Sequence, residues 1–115
     1  MILKFRIFDK KKKRFLDDFT MEIDRYGIHV LDELNYVVDE DDRVLMQSTG
    51  LTDIGEDEVF EGDIVYDDYY ELYGFVKYDE GSFVLEWDGV IEPLSERINT
   101  LPVVGNIHEH PELLN

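Results

Sequence analysis

Apolar residues in this chain recur at every second position over short stretches, and that spacing constrains the fold more than any other feature. Leu3, Phe5 and Ile7 alternate with Lys4 and Arg6; Phe19, Met21 and Ile23 with Thr20 and Glu22; Phe83, Leu85 and Trp87 with Ser82, Val84 and Glu86. Side chains on an extended backbone point alternately to opposite sides, so each stretch predicts a strand with one buried face. Helices have little to build on: the chain contains no alanine, and its eight glycines punctuate short segments. Asp79-Glu80-Gly81, between Gly74–Tyr78 and Ser82–Trp87, predicts a hairpin loop with Gly81 at positive φ. Pro93-Leu94-Ser95-Glu96-Arg97-Ile98 fits one helical turn begun at a proline, and Leu31 with Leu34 fits a second. The expected fold is mostly β: a small, strongly bent antiparallel sheet or an SH3-like, partly open barrel, with one or two short helical turns. At 115 residues it is expected to be a single domain over residues 1–115.

Charge narrows the function classes. Residues 1–14 hold seven basic groups against Asp9 alone, a balance of +6, while the other 101 residues hold four basic and 27 acidic groups, −23, for a net −17. A body so acidic repels nucleic-acid phosphates and anionic membrane surfaces, so neither is an expected partner. It suits solubility, or a surface matched to a basic protein. Lys10 to Arg14 predict an exposed hairpin tip between strands Leu3–Phe8 and Phe15–Ile23, since adjacent lysines are costly to desolvate. No apolar run approaches a bilayer span and the N-terminus has no signal-peptide pattern, so a cytoplasmic protein is expected. An open sheet also leaves edges through which copies could pair into a homo-oligomer.

Reactive motifs are scarce. The absence of cysteine excludes disulfides, thiolate zinc sites and a cysteine nucleophile. Glu61-Gly62-Asp63 before Ile64-Val65-Tyr66 predicts a tight turn feeding a strand, with the aspartate accepting a nearby backbone N–H, in preference to an acid–base pair. Thr49-Gly50-Leu51 predicts a turn, because the spacing and lysine of a phosphate-binding loop are missing. Two residues apart on a strand, His108 and His110 would share a face and offer two metal ligands, but Pro111 takes the chain out of a sheet and further ligands are not evident. His29 reads as a strand residue. There is no EF-hand order and no Gly-x-Ser-x-Gly, so no cofactor, no metal and no catalytic residue is assigned.

The stretch best suited to recognition is Tyr66-Asp67-Asp68-Tyr69-Tyr70-Glu71-Leu72-Tyr73. Tyrosines supply contact area at little rotamer entropy, and the interleaved carboxylates disfavour base stacking because they repel the phosphate backbone. Tyr66, Asp67, Asp68, Tyr69, Tyr70, Glu71 and Tyr73 are therefore the candidate partner-binding residues, the alternative being a loop whose tyrosines pack down on the sheet.

Lys4-Phe5-Arg6-Ile7-Phe8-Asp9, Gln47-Ser48-Thr49-Gly50-Leu51-Thr52-Asp53, Val59-Phe60-Glu61-Gly62-Asp63-Ile64-Val65 and Val104-Gly105-Asn106-Ile107-His108-Glu109 with Pro111-Glu112-Leu113-Leu114 resemble the YopX family of phage and prophage proteins over nearly the whole chain. Two departures stand out: Phe8 replaces the family's usual tryptophan, and in Ile54-Gly55-Glu56 the glycine lies one place before that of the family's Asn-Gly turn. The resemblance implies a compact, mostly β protein with a small barrel-like core in a phage or prophage setting, and supplies no catalytic residue or ligand. The leading expectation is a phage- or prophage-encoded, non-enzymatic interaction protein, in its most specific form an acidic decoy for a basic host or phage protein. The alternatives are nucleic-acid handling through the basic N-terminal segment, and a small metal-dependent enzyme using His108 and His110.

Overall fold

The computed structural model describes residues 4–115, so Leu3, expected to start the first strand, lies outside the described residues. The fold is mostly β and antiparallel, with eleven strands, one short α-helix and three 3-10 turns among the described residues. No helix among them is long and apolar enough to cross a membrane. The chain forms two compact units, one of residues 5–46 and one of residues 47–115 together with Lys4.

In the first unit, β1 (Phe5–Asp9) pairs with β2 (Arg14–Phe15), setting Phe8 opposite Phe15 and Asp9 opposite Arg14. The Phe8 and Phe15 rings meet edge-on at 5.1 Å. Between the strands, Lys10, Lys11, Lys12 and Lys13 form an exposed tip, whereas Arg14, expected in it, is half-buried on β2 and paired with Glu33 at 2.5 Å. Asp9, the one acid of this basic segment, is buried and turns its Oδ1 back to accept the N–H groups of Lys11 and Lys12, both at 3.0 Å. The strand expected over Phe15–Ile23 is interrupted: β2 ends at Phe15, and β3 (Thr20–Asp24) begins after Asp17-Asp18. Asp18 accepts the N–H of Phe19, the local side-chain bonding by which aspartate competes with a strand ladder. β4 (Gly27–Leu31) closes a hairpin on β3. Ile7, Leu16, Val30 and Val38 form the core, with Phe19, Met21 and Leu45 packed against it. No helical turn holds Leu31 and Leu34: Leu31 ends β4, and Leu34 is exposed in a turn whose N–H groups at 34 and 36 are accepted by the buried Asp32, both at 2.9 Å.

β5 (Arg43–Thr52) carries the chain into the second unit. There Ser48 pairs with Phe60 and Thr52 with Glu58 of β6 (Glu58–Phe60), so β5 bulges between them, with Gly50 at φ 77°. Thr49-Gly50-Leu51 is thus a strand bulge and not the expected turn; Thr49 Oγ1 donates to the Val59 carbonyl at 2.8 Å where ladder pairing lapses. Glu61 and Gly62 form the anticipated turn, and Asp63 Oδ2 accepts the N–H of Phe60 at 2.8 Å. β7 (Asp63–Asp67), β8 (Leu72–Asp79), β9 (Ser82–Trp87) and β10 (Val90–Pro93) then run as a meander, and β11 (Val103–Asn106) returns to the free side of β7, giving the order β10-β9-β8-β7-β11. The five strands curl into a half-barrel. The β8–β9 loop is the two-residue turn Glu80-Gly81, both at positive φ.

Inside the curl lie Val59, Val65, Val76, Leu85, Trp87, Leu94, Ile98 and Leu101, with Phe83 half-buried against them. The alternation of Phe83, Leu85 and Trp87 thus selects the inward face as expected. α1 (Leu94–Arg97) follows Pro93 and buries Leu94, while Ile98 one turn on is buried beside it.

Candidate functional site

Strand β7 ends at Asp67 and β8 begins at Leu72, so the tyrosine-rich stretch is the hairpin joining them, with Tyr66 opposite Tyr73 and Asp67 opposite Leu72. Four residues, Asp68 to Glu71, make the tip, and Glu71 takes φ 56° to close it. Tyr69 and Tyr70 project into solvent at 81% and 66% exposure, their rings edge-on at 4.7 Å. Tyr66 and Tyr73 pair across the strands at 4.8 Å, and burial pushes the Tyr66 hydroxyl above its ordinary pKa. Asp68 and Glu71 are exposed between the two ring pairs.

Asp67 does not belong to that surface. Only 4% exposed, it is the hairpin's internal clamp: Oδ1 accepts the N–H groups of Tyr69 at 2.9 Å and Tyr70 at 3.3 Å, and Oδ2 accepts Arg97 Nη2 at 2.5 Å. Arg97 extends the chain of contacts, with Nη1 3.3 Å from Glu92 Oε1, which also accepts the indole N–H of Trp87 at 2.9 Å. The guanidinium carbon sits 5.5 Å from the Trp87 ring centre. The hydrogen bond from Arg97 holds the Asp67 carboxyl below the usual aspartate range and in turn raises Arg97. The tyrosines are therefore presented on a tip tied to α1 and to the barrel core.

Beside the hairpin, on the same unit, opens a cleft of about 460 Å³. Leu72, Tyr73 and Phe75 give its lining apolar and aromatic surface, and Glu71, Glu86 and Asp88 line it with carboxylates. Glu86 is paired with Lys77 at 2.7 Å. The combination of aromatic surface and carboxylates suits a lysine or arginine side chain together with its aliphatic stem.

The other sequence candidates occupy structural roles. His108 and His110 are not on a strand; they lie in the turn after β11, where Asn106 Oδ1 accepts the N–H groups of His108 and Glu109, and His110 Nδ1 accepts the N–H of Asn106 at 3.2 Å. Among the described residues, no three or more histidine, aspartate or glutamate side chains converge as a metal set. His29 is on β4, its Nε2 3.1 Å from Asp24. Sequence reasoning missed Arg97 and the cleft. For Arg97 a signal existed: it is one of only four basic residues, with Arg25, Arg43 and Lys77, beyond residue 14.

A family model described as YopX protein matches residues 4–115. The chain belongs to the YopX family. Two crystal structures are similar to this YopX-family fold. Protein EF1440 from Enterococcus faecalis is 28% identical, with a TM-score of 0.65 over 100% of this chain and 99% of that one. Protein yopX from Bacillus subtilis is 20% identical, with a TM-score of 0.66 over 96% of this chain and 97% of that one, a likeness of fold. No curated protein sequence matches. At Ile54-Gly55-Glu56, Asp53 Oδ1 accepts the N–H groups of Gly55 and Asp57, and the left-handed position, φ 65°, falls on Glu56 and not on the neighbouring glycine.

Proposed function

We propose that this YopX-family protein is a non-enzymatic interaction protein of phage or prophage origin that acts in the bacterial cytoplasm and binds a basic host or phage protein through the tip of the Tyr66–Tyr73 hairpin and the adjoining acidic cleft. The observation that carries this reading is the pairing of two solvent-projecting rings, Tyr69 and Tyr70, with a backbone held by Asp67 and Arg97. Exposed tyrosines on a rigid tip lose little entropy on binding, while Asp68, Glu71 and Asp88 favour approach by positive surfaces. An acidic decoy that occupies the nucleic-acid-binding face of such a protein is the most specific form of this function.

The test is affinity capture from the bacterial host, followed by measurement with the retained protein. Tyr69→Ala with Tyr70→Ala weakens binding at all salt concentrations; Asp68→Asn with Glu71→Gln slows association and flattens its salt dependence. Unchanged binding after all four substitutions places the interface elsewhere.

A second reading has one observation in its favour, the exposed lysine tip at residues 10–13 fixed by Asp9. Nucleic-acid retention at physiological salt, lost when these lysines become glutamines, would support it.

A further inference from the structure

The β3–β4 hairpin carries an apolar face that the described residues cover only at one end. Met21 stands opposite Val30 and Ile23 opposite Ile28, so the four share a face; Val30 is fully buried, whereas Ile23 is 73% exposed. The two outer edges of this hairpin are treated differently. On the β4 side, the Ile28 carbonyl accepts Arg43 Nη2 at 2.8 Å, the Val30 carbonyl accepts the N–H of Val38 at 2.9 Å, and Leu31 bridges to Val37. Residues opposed in an antiparallel pair turn their backbone groups inward together or outward together. Since Ile28 and Val30 turn outward, Ile23 and Met21 do so on the other edge. Among the described residues β3 pairs with β4 alone, and no backbone hydrogen bond covers that outer edge.

We propose that the outer edge of β3 is a docking strand for an extended peptide in which basic and apolar residues alternate. Main-chain bonds to Met21 and Ile23 supply the attachment, as in other cases of strand addition. Alternation supplies the choice of partner, because Glu22 and Asp24 lie on one face of β3 and Ile23 with Ile28 on the other. A second copy of β3 fits poorly: the antiparallel register that matches Ile23 to Met21 sets Glu22 against Glu22 and Thr20 against Asp24. Lysine or arginine at those positions meets opposite charge, and the intervening apolar residues extend the Ile23–Ile28 face. This surface shares no residue with the tyrosine hairpin.

The probe is a synthetic octapeptide alternating lysine and valine, added in excess to the isotopically labelled full chain. Amide exchange at Met21 and Ile23 is expected to slow at least tenfold, while an aspartate–valine peptide leaves it unchanged. N-methylation of the octapeptide along one edge removes the effect. Ile23→Pro deletes an outward N–H that the β3–β4 ladder does not use, and abolishes the protection at Met21. Glu22→Lys leaves the backbone whole and shifts preference toward the aspartate–valine peptide. Unaltered exchange at Met21 and Ile23, or protection appearing at Tyr69 and Tyr70 in their place, overturns the proposal.

Discussion

Gly74 of β8 and Trp87 of β9 are cross-strand partners, and the indole lies where a side chain on residue 74 would begin: a Cβ there would stand 2.7 Å from Trp87 Cε3. Both residues are buried, and the ring is further fixed by its N–H bond to Glu92 and by Arg97 over its face. The half-barrel closes around a tryptophan that needs the neighbouring strand to have no Cβ.

Gly74→Ala is therefore expected to destabilise the protein by about 1–3 kcal/mol, the usual cost of overpacking a dense core. Urea unfolding checks it. Trp87→Leu in the same chain should recover part of the loss, so the two changes are non-additive.

Asp67 and Arg97 predict an acid-sensitive clamp. The folded-state pKa of Asp67 is depressed below its ordinary value of 3.8, chiefly by the hydrogen bond from Arg97. Its contribution is complete above the unfolded-state pKa and is lost as pH falls through the folded one. Asp67→Asn should cost roughly 1–2 kcal/mol at neutral pH, a modest figure for a charged hydrogen bond because the Arg97 side chain stays 35% exposed and is screened by water. Unfolding measured from pH 7 to 2.5 should show the difference between the two proteins constant above about pH 5 and shrinking below about pH 4.

Glu56 holds a left-handed conformation that costs a non-glycine residue about 1 kcal/mol. Glu56→Gly, alone or with Gly55→Asn, is expected to raise the melting temperature. Gly55→Asn by itself should be near neutral, since a Cβ at residue 55 meets only Asp53 and Asp57 oxygens at an ordinary 3.5 Å.

Asp9 predicts a difference between two substitutions in the lysine tip. Asn keeps an oxygen that can accept the N–H groups of Lys11 and Lys12, and Ala does not. Hydrogen exchange at those two amides should stay protected in Asp9→Asn and accelerate in Asp9→Ala.

Much of the fold was legible in the sequence because the alternation of a strand is a local property. Phe83, Leu85 and Trp87 marked an inward face, Glu80-Gly81 marked a hairpin, Glu61-Gly62-Asp63 marked a turn, and Pro93 marked the start of the short helix. Each depends on backbone geometry within a few residues. The interruption after Phe15 and the bulge at Gly50 were not legible, since a strand is ended or bent by what lies beside it as much as by its own residues.

The candidate site divides along the same line. Tyr66–Tyr73 stood out by composition, but Asp67 and Asp68 are adjacent and chemically identical, and only the tertiary structure decided that one is a buried clamp on Arg97 and the other an exposed carboxylate. Asp9, Asp32, Asp53, Asp63, Asp67 and Asn106 are all buried, and each accepts at least one backbone N–H. The sequence by itself determined that the chain is acidic, free of cysteine and built of short strands. Which few of its many acidic groups leave water was decided by long-range folding, because desolvating a carboxylate is tolerable only where the completed tertiary structure brings N–H groups or a cation to meet it.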